Sequence, residues 1–215
     1  RKEEIIQRGR ETFLVKGNIQ SPWGVHKIVT SYHGGINMYL DDKKISLSRV
    51  NRYFFPVVFT STDFPKYLER KAYKRKLFNR FIFGFEDLYL HLLLDYNKTV
   101  KKKNILLKRD IEPAELRSWN RVLVNSCVRI VELRNAFVRS LNRYLGDIDP
   151  ALKVEYRPSL DISKGVEREG FLDQLTAAGS RERKYGRCLV GPHLDDYAMM
   201  YKDRDVRTGS SGEKK

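Results

Sequence analysis

The chain has 215 residues, with 42 Lys and Arg against 27 Asp and Glu, a formal net charge of +15. With 41% apolar residues, twelve Tyr, eleven Phe and two Trp, it can bury a core, which excludes an intrinsically disordered chain. Two distant cysteines, Cys127 and Cys188, exclude a disulfide framework and a cysteine zinc site and fit a reducing cytoplasm. The apolar runs are too short for a membrane span, and no signal peptide opens the sequence.

Residues 1–64 read as antiparallel strands joined by tight turns. Thr12–Gln20, Val25–Tyr32, Asn37–Leu40 and Phe55–Thr60 are rich in β-branched and aromatic residues. Ser21-Pro22, His33-Gly34-Gly35 and Asp41-Asp42-Lys43 punctuate them. From Pro65 the period changes. Leu77, Phe81, Phe85, Leu88, Leu92, Tyr96 and Val100 recur every three or four residues, which predicts a helical face broken near Gly84. Pro113 opens a second periodic run, Leu116 to Leu145, predicting a helix of more than thirty residues, roughly 45 Å at 1.5 Å per residue. Two long amphipathic segments with a short link predict an antiparallel helical arm over 65–150. Residues 151–215 read as a strand (Lys153–Arg157), a helix (Glu167–Ala178) and two strands around Arg187–Val190 and Tyr197–Tyr201.

The positive charge is uneven. Residues 66–109 carry thirteen basic and four acidic residues, net +9, whereas residues 110–150 balance at six each. Two clusters, Lys66–Arg80 and Lys98–Arg109, form an electrostatic footprint for phosphate. Lys66, Lys71, Lys74, Arg75, Lys76, Lys102 and Lys103 are the candidate DNA contacts, supplying affinity without base readout.

Leu92-Leu93-Leu94-Asp95 has the form of an ATPase magnesium strand, but it lies within a helical period and no Glu follows Asp95; it reads as helix with a surface aspartate. The phosphate loop G-x-x-x-x-G-K-[ST], the G-x-G-x-x-G fingerprint, the H-E-x-x-H zinc helix and a nucleophile elbow occur nowhere. Gly191-Pro192-His193-Leu194-Asp195-Asp196 gathers possible ligands, but adjacent carboxylates seldom point the same way, and the string reads as a polar turn, not a metal site. Gly209-Ser210-Ser211-Gly212 has the makings of a backbone N–H loop for phosphate, and equally of a vector scar.

In order, these pieces resemble the RecF recombination ATPases, SMC-like members of the ATP-binding-cassette class. Residues 191–196 are similar to the family's GPHRDD, with Leu194 in place of Arg, and residues 205–214 fall where it places its S-Q-G-Q signature. Phe55–Phe59 with Asp63-Phe64 resembles PVVLFSPEDL, Ala72–Arg80 resembles ERRRFLDR, Lys103–Lys108 resembles RNALLK, and Glu155–Pro158 resembles the YRP strand.

The resemblance implies an α/β (α+β) fold: a partial ATPase head of antiparallel strands (1–64), an inserted antiparallel helical arm (65–150), and a return to the head ending in the signature (151–215). It implies an internal piece, since the family's phosphate loop precedes the point matching Arg1 and its magnesium strand follows Lys215. By carry-over, Ser210, Ser211, Gly212 and Glu213 contact ATP bound with Mg by a second protomer, in an ATP-dependent homodimer. DNA and recombination-mediator proteins are the implied partners, and no ATP hydrolysis by this chain alone is expected. The alternative is a non-catalytic adaptor whose helical arm binds a protein partner.

Overall fold

A computed structural model describes residues 5–208, apart from 22, 51–52, 56, 58–62 and 110. The chain divides into two compact units, Arg1–Val58 and Phe59–Lys215. The first is a four-stranded antiparallel sheet in the order β1 (Phe13–Ser21), β2 (Gly24–Tyr32), β3 (Ile36–Leu40), β4 (Lys43–Lys44), followed by the one-turn helix α1 (Leu47–Val50). Its tight turns are chemically specified. Asp41 and Asp42 both have positive φ (50° and 63°), the geometry of a two-residue I′ hairpin. Asp41 is held there by His26 Nδ1 at 2.7 Å and by the Lys27 N–H at 2.9 Å.

The second unit contains α2 (Asp63–Glu69), α3 (Lys71–Phe85), α4 (Asp87–Leu107), α5 (Pro113–Ile148), β5 (Leu152–Arg157), α6 (Arg168–Ala177), α7 (Gly179–Tyr185), β6 (Asp196–Tyr201) and β7 (Arg204–Asp205). The 36-residue α5 is the axis of this unit. Leu116, Leu123, Val124, Cys127, Ile130, Val131 and Val138 form its buried face, and Tyr89, Tyr96, Val100 and Leu107 of α4 pack into the same core. The two run antiparallel, for Lys103 bonds Asn120 near the link while Tyr89 bonds Arg134 farther away. Phe171 and Leu175 of α6 complete the core. The small sheet β5-β6-β7 is antiparallel and joins α5 through Asn142, whose amide donates to the Val154 carbonyl and accepts from its N–H, both at 2.8 Å.

The fold is mixed α/β with antiparallel sheets, as expected, and several local expectations need correction. The helical break falls at Glu86, two residues past Gly84. Residues 187–190 are not a strand; the Arg187 N–H donates to the Glu182 carbonyl (3.2 Å), and the next two go to side chains, Cys188 N–H to Asn104 Oδ1 (2.7 Å) and Leu189 N–H to Glu182 Oε1 (2.9 Å). The strand expected at Phe55–Thr60 falls mostly outside the described residues, and Phe55 and Val57 carry no regular structure. Asp95 does sit on the α4 surface, paired with Lys98 at 3.2 Å. Cys127 and Cys188 are buried free thiols, pushed up to about 12 and about 11 by burial. Among the described residues no helix is long and apolar enough to cross a membrane.

The Lys103–Glu182 pair joins α4 to α7, with Nζ and Oε2 2.6 Å apart and both side chains 0% exposed. K103M or E182Q alone leaves one buried group uncompensated and is expected to cost about 3–5 kcal/mol, whereas K103M/E182M is expected to recover much of it. Urea denaturation of the three variants measures this.

Candidate functional site

The string 191–196 forms a buried polar hub between the helices and the small sheet. Gly191 has φ 129°, and a Cβ there would lie 2.5 Å from the Tyr96 hydroxyl, so only glycine fits. Ser159 Oγ accepts from the Gly191 N–H at 2.7 Å and donates to its carbonyl at 2.8 Å. Pro192 starts a single 3₁₀ turn, Pro192–Leu194. His193 Nδ1 lies 2.6 Å from the Tyr96 hydroxyl; burial pulls its pKa below the ordinary 6.5, which favours the neutral ring, whose Nδ1 accepts a hydrogen bond from the tyrosine.

Asp195 and Asp196 point to different cations. The Asp195 carboxylate accepts from Arg134 Nη1 at 2.5 Å, from the Ser159 N–H at 2.8 Å and from the Tyr156 hydroxyl. Arg134, 1% exposed, also donates to the Pro192 carbonyl (2.6 Å), Tyr89 Oη (3.0 Å) and Asn79 Oδ1 (2.9 Å). One side chain on α5 thus reaches α3, α4 and the hub. Burial opposes its charge, and the surrounding oxygens of Tyr197, Tyr89, Asp195 and Tyr156 outweigh that, holding the guanidinium above its ordinary value. Asp196 pairs with Lys74 at 2.6 Å and more distantly with Lys71 at 3.8 Å. Lys74 also donates to the Tyr197 carbonyl at 2.5 Å, and Arg75 donates to the Asp195 carbonyl at 2.7 Å. Phe78 stacks on Tyr197 with centroids 3.9 Å apart.

From the hub, β6 turns at Lys202-Asp203, both with positive φ, into β7 and a 3₁₀ turn, Val206–Thr208. Asp205 is gripped by Arg207 Nη2 at 2.6 Å and Arg157 Nη1 at 3.1 Å, and these bonds, Arg207 foremost, hold its carboxyl well below the usual range. Ser210, Ser211, Gly212 and Glu213 lie outside the described residues; what is described is the anchored run that leads to them.

The candidate DNA contacts separate into distinct environments. Lys74 (3% exposed) and Lys103 (0%) are buried and paired; they are not available to a phosphate, which corrects their assignment. Arg75 is half-buried and engaged at the hub. Lys71 is exposed but faces Asp196, and Lys66 stands over the Tyr73 ring at 5.8 Å. Lys76 and Lys102 are exposed. Arg134 was missed, although the sequence carries its signal: it interrupts the apolar stripe Cys127, Ile130, Val131, Val138 on α5, where a cation must be buried and therefore paired.

No family model matches the chain. It is 28% identical over 228 residues to the DNA replication and repair protein RecF of Geotalea uraniireducens, covering 99% of this chain and 62% of that protein. RecF of Caldanaerobacter subterraneus is 27% identical over 230 residues, with coverages of 99% and 63%. RecF of Leptospira interrogans is 30% identical over 171 residues, with coverages of 75% and 46%. Among solved structures, the recombination mediator protein RecF with ATPrS, of the RecFOR pathway, superposes with a TM-score of 0.80 at 26% identity, over 100% of this chain and 62% of that one. The RecF–ATP structure gives 0.79 at 25% identity, again over 100% and 62%. The chain therefore spans about three-fifths of the length of its first curated relatives, 62%.

His193 makes the hub acid-sensitive. Its folded pKa lies below the ordinary 6.5, so its contribution is full above that value and is lost as pH falls through it, by at most about 1.4 kcal/mol per pH unit. Denaturant midpoints between about pH 7 and 5 are expected to fall in the wild type and to fall less in H193Q.

Proposed function

Since this chain is a relative of the RecF DNA replication and repair proteins along its whole length and in its fold, we propose that it acts in ATP-dependent recombination and replication repair, binding DNA and presenting a signature segment that caps ATP in a dimer. The observation that carries this reading is the hub itself. The string 191–196 holds the start of β6 against α3 and α5, and the Arg157–Asp205–Arg207 grip fixes the run that leads into residues 210–213. The described run as far as Val206–Thr208 is thus held in place by its own side chains, the kind of preorganisation that lowers the ordering cost of binding.

On this reading, which follows the family resemblance, the ATP capped by the signature segment is held with its Mg by a second protomer, and bound ATP supplies the triphosphate that joins the two. The part given to this chain is binding: Ser210 and the backbone around Gly212 toward the phosphates, with Lys76, Lys102, Lys66 and Lys71 toward DNA. Recombination-mediator proteins of the pathway are further proposed partners.

The adaptor reading has one feature in its favour, an apolar cleft of about 470 Å³ between the α3–α4 break and α5, walled by Phe85, Phe137 and Tyr144. The readings part on nucleotide dependence. Sedimentation of this chain with intact RecF of Geotalea uraniireducens is expected to show a complex with ATP that is weakened at least tenfold without it, and equally by S210R. Association indifferent to both ATP and S210R would favour the adaptor.

A further inference from the structure

The balanced charge of residues 110–150 conceals a strongly one-sided surface. Of its acidic residues, Glu112 and Glu115 stand at the start of α5, and Asp147 and Asp149 at its end. Between them the helix carries six arginines and a single acid, Glu132. Arg134 is buried; Arg117, Arg121, Arg129, Arg139 and Arg143 are all exposed. At 100° per residue these five fall within roughly a third of the helix circumference, opposite the buried face. They extend over about 39 Å of helix, comparable to one turn of B-DNA at about 34–36 Å.

The arrangement opposes helix stability. Arg117 and Arg121, and again Arg139 and Arg143, are like charges four residues apart, each such pair unfavourable by about 0.2–0.5 kcal/mol. Only Arg129 has an acidic partner among the described residues, Glu132 at 3.4 Å. Arg143 donates to Ser140 Oγ at 3.0 Å, which leaves its charge uncompensated. Arg168, itself paired with Glu169 at 3.2 Å, is brought to the same face by its 3.0 Å bond to Asn125 on α5. Between them stand Ser118, Asn125, Ala136 and Ser140, small or polar, and one acid, Glu132, whose charge is met by Arg129.

We propose that this arginine row on α5 is a nucleic-acid backbone track, a second phosphate-contacting surface of the unit and one reading shape and charge rather than sequence. It rests on the DNA-binding part of the proposed function and moves the principal contact from the lysine clusters of 66–109 to α5.

Fluorescence anisotropy with a labelled duplex of about 30 base pairs, roughly three helical turns, titrated between about 50 and 200 mM salt, tests it. R121Q/R139Q/R143Q is expected to weaken binding at least tenfold and to flatten the log affinity against log salt slope by about 2–3, near 0.9 per lost contact. R121K/R139K/R143K is expected to keep the slope, because lysine still neutralises a phosphate. The glutamine variant removes both repulsive pairs, so its melting temperature should be unchanged or higher. Wild-type binding by the glutamine variant, with loss in K76Q/K102Q, would overturn this proposal and leave DNA binding standing. No duplex binding by the unaltered chain would overturn both. Equally tight binding of poly-glutamate would mark the row as a general acid acceptor and also overturn it.

Discussion

The second unit depends on the capture of three carboxylates by three helix cations. Glu182, Asp195 and Asp196 all belong to the segment that follows α5, and they are taken by Lys103 of α4, Arg134 of α5 and Lys74 of α3. All six side chains are nearly or wholly buried. Burying a charge is costly unless its partner and its remaining hydrogen-bond sites are supplied. Here many of them are: Arg134 also donates to Pro192, Tyr89 and Asn79, Lys74 to the Tyr197 carbonyl, and Lys103 to Asn120. Such pairs add less to stability than to uniqueness. A carboxylate displaced from its cation would have no comparable site elsewhere in an apolar core, so the return segment has one place to sit.

That constraint changes the meaning of the positive charge. Lysines in the basic stretch 66–109 are partly internal ties, and the surface they leave is smaller than the count suggested. Residues 110–150, balanced in sum, present arginine outward along most of α5, while their acids other than Glu132 gather toward its ends. Net charge per segment is blind to this, because it adds groups that face opposite ways.

How much could be read from the chain follows from what periodicity reports. The strands β1–β3, β5 and β6 and the helices α3–α6 were legible, because apolar spacing of two or of three and four reflects burial directly. The hub string 191–196 was legible as a motif and as a turn. Its role was not, since the cations that take Asp195 and Asp196 lie about 60 and 120 residues away in sequence. Lys103 lies in step with Val100 and Leu107, and Lys74 one turn before Phe78 and Ile82. Read by position rather than by type, they belong to the buried stripe. The apolar residues 188–190 resemble a strand because β-branched and apolar residues mark burial in either setting; their backbone is satisfied by Asn104 and Glu182 instead.

Native-state hydrogen exchange across the second unit tests most directly whether the three pairs make the helices and the return segment one cooperative structure. The slowest amides of α4, α5 and β6 are expected to exchange with a common free energy, that of global unfolding, and the R134M variant to lower all three together. Slow exchange in α4 and α5 beside fast exchange throughout β6, with only β6 responding to R134M, would contradict it.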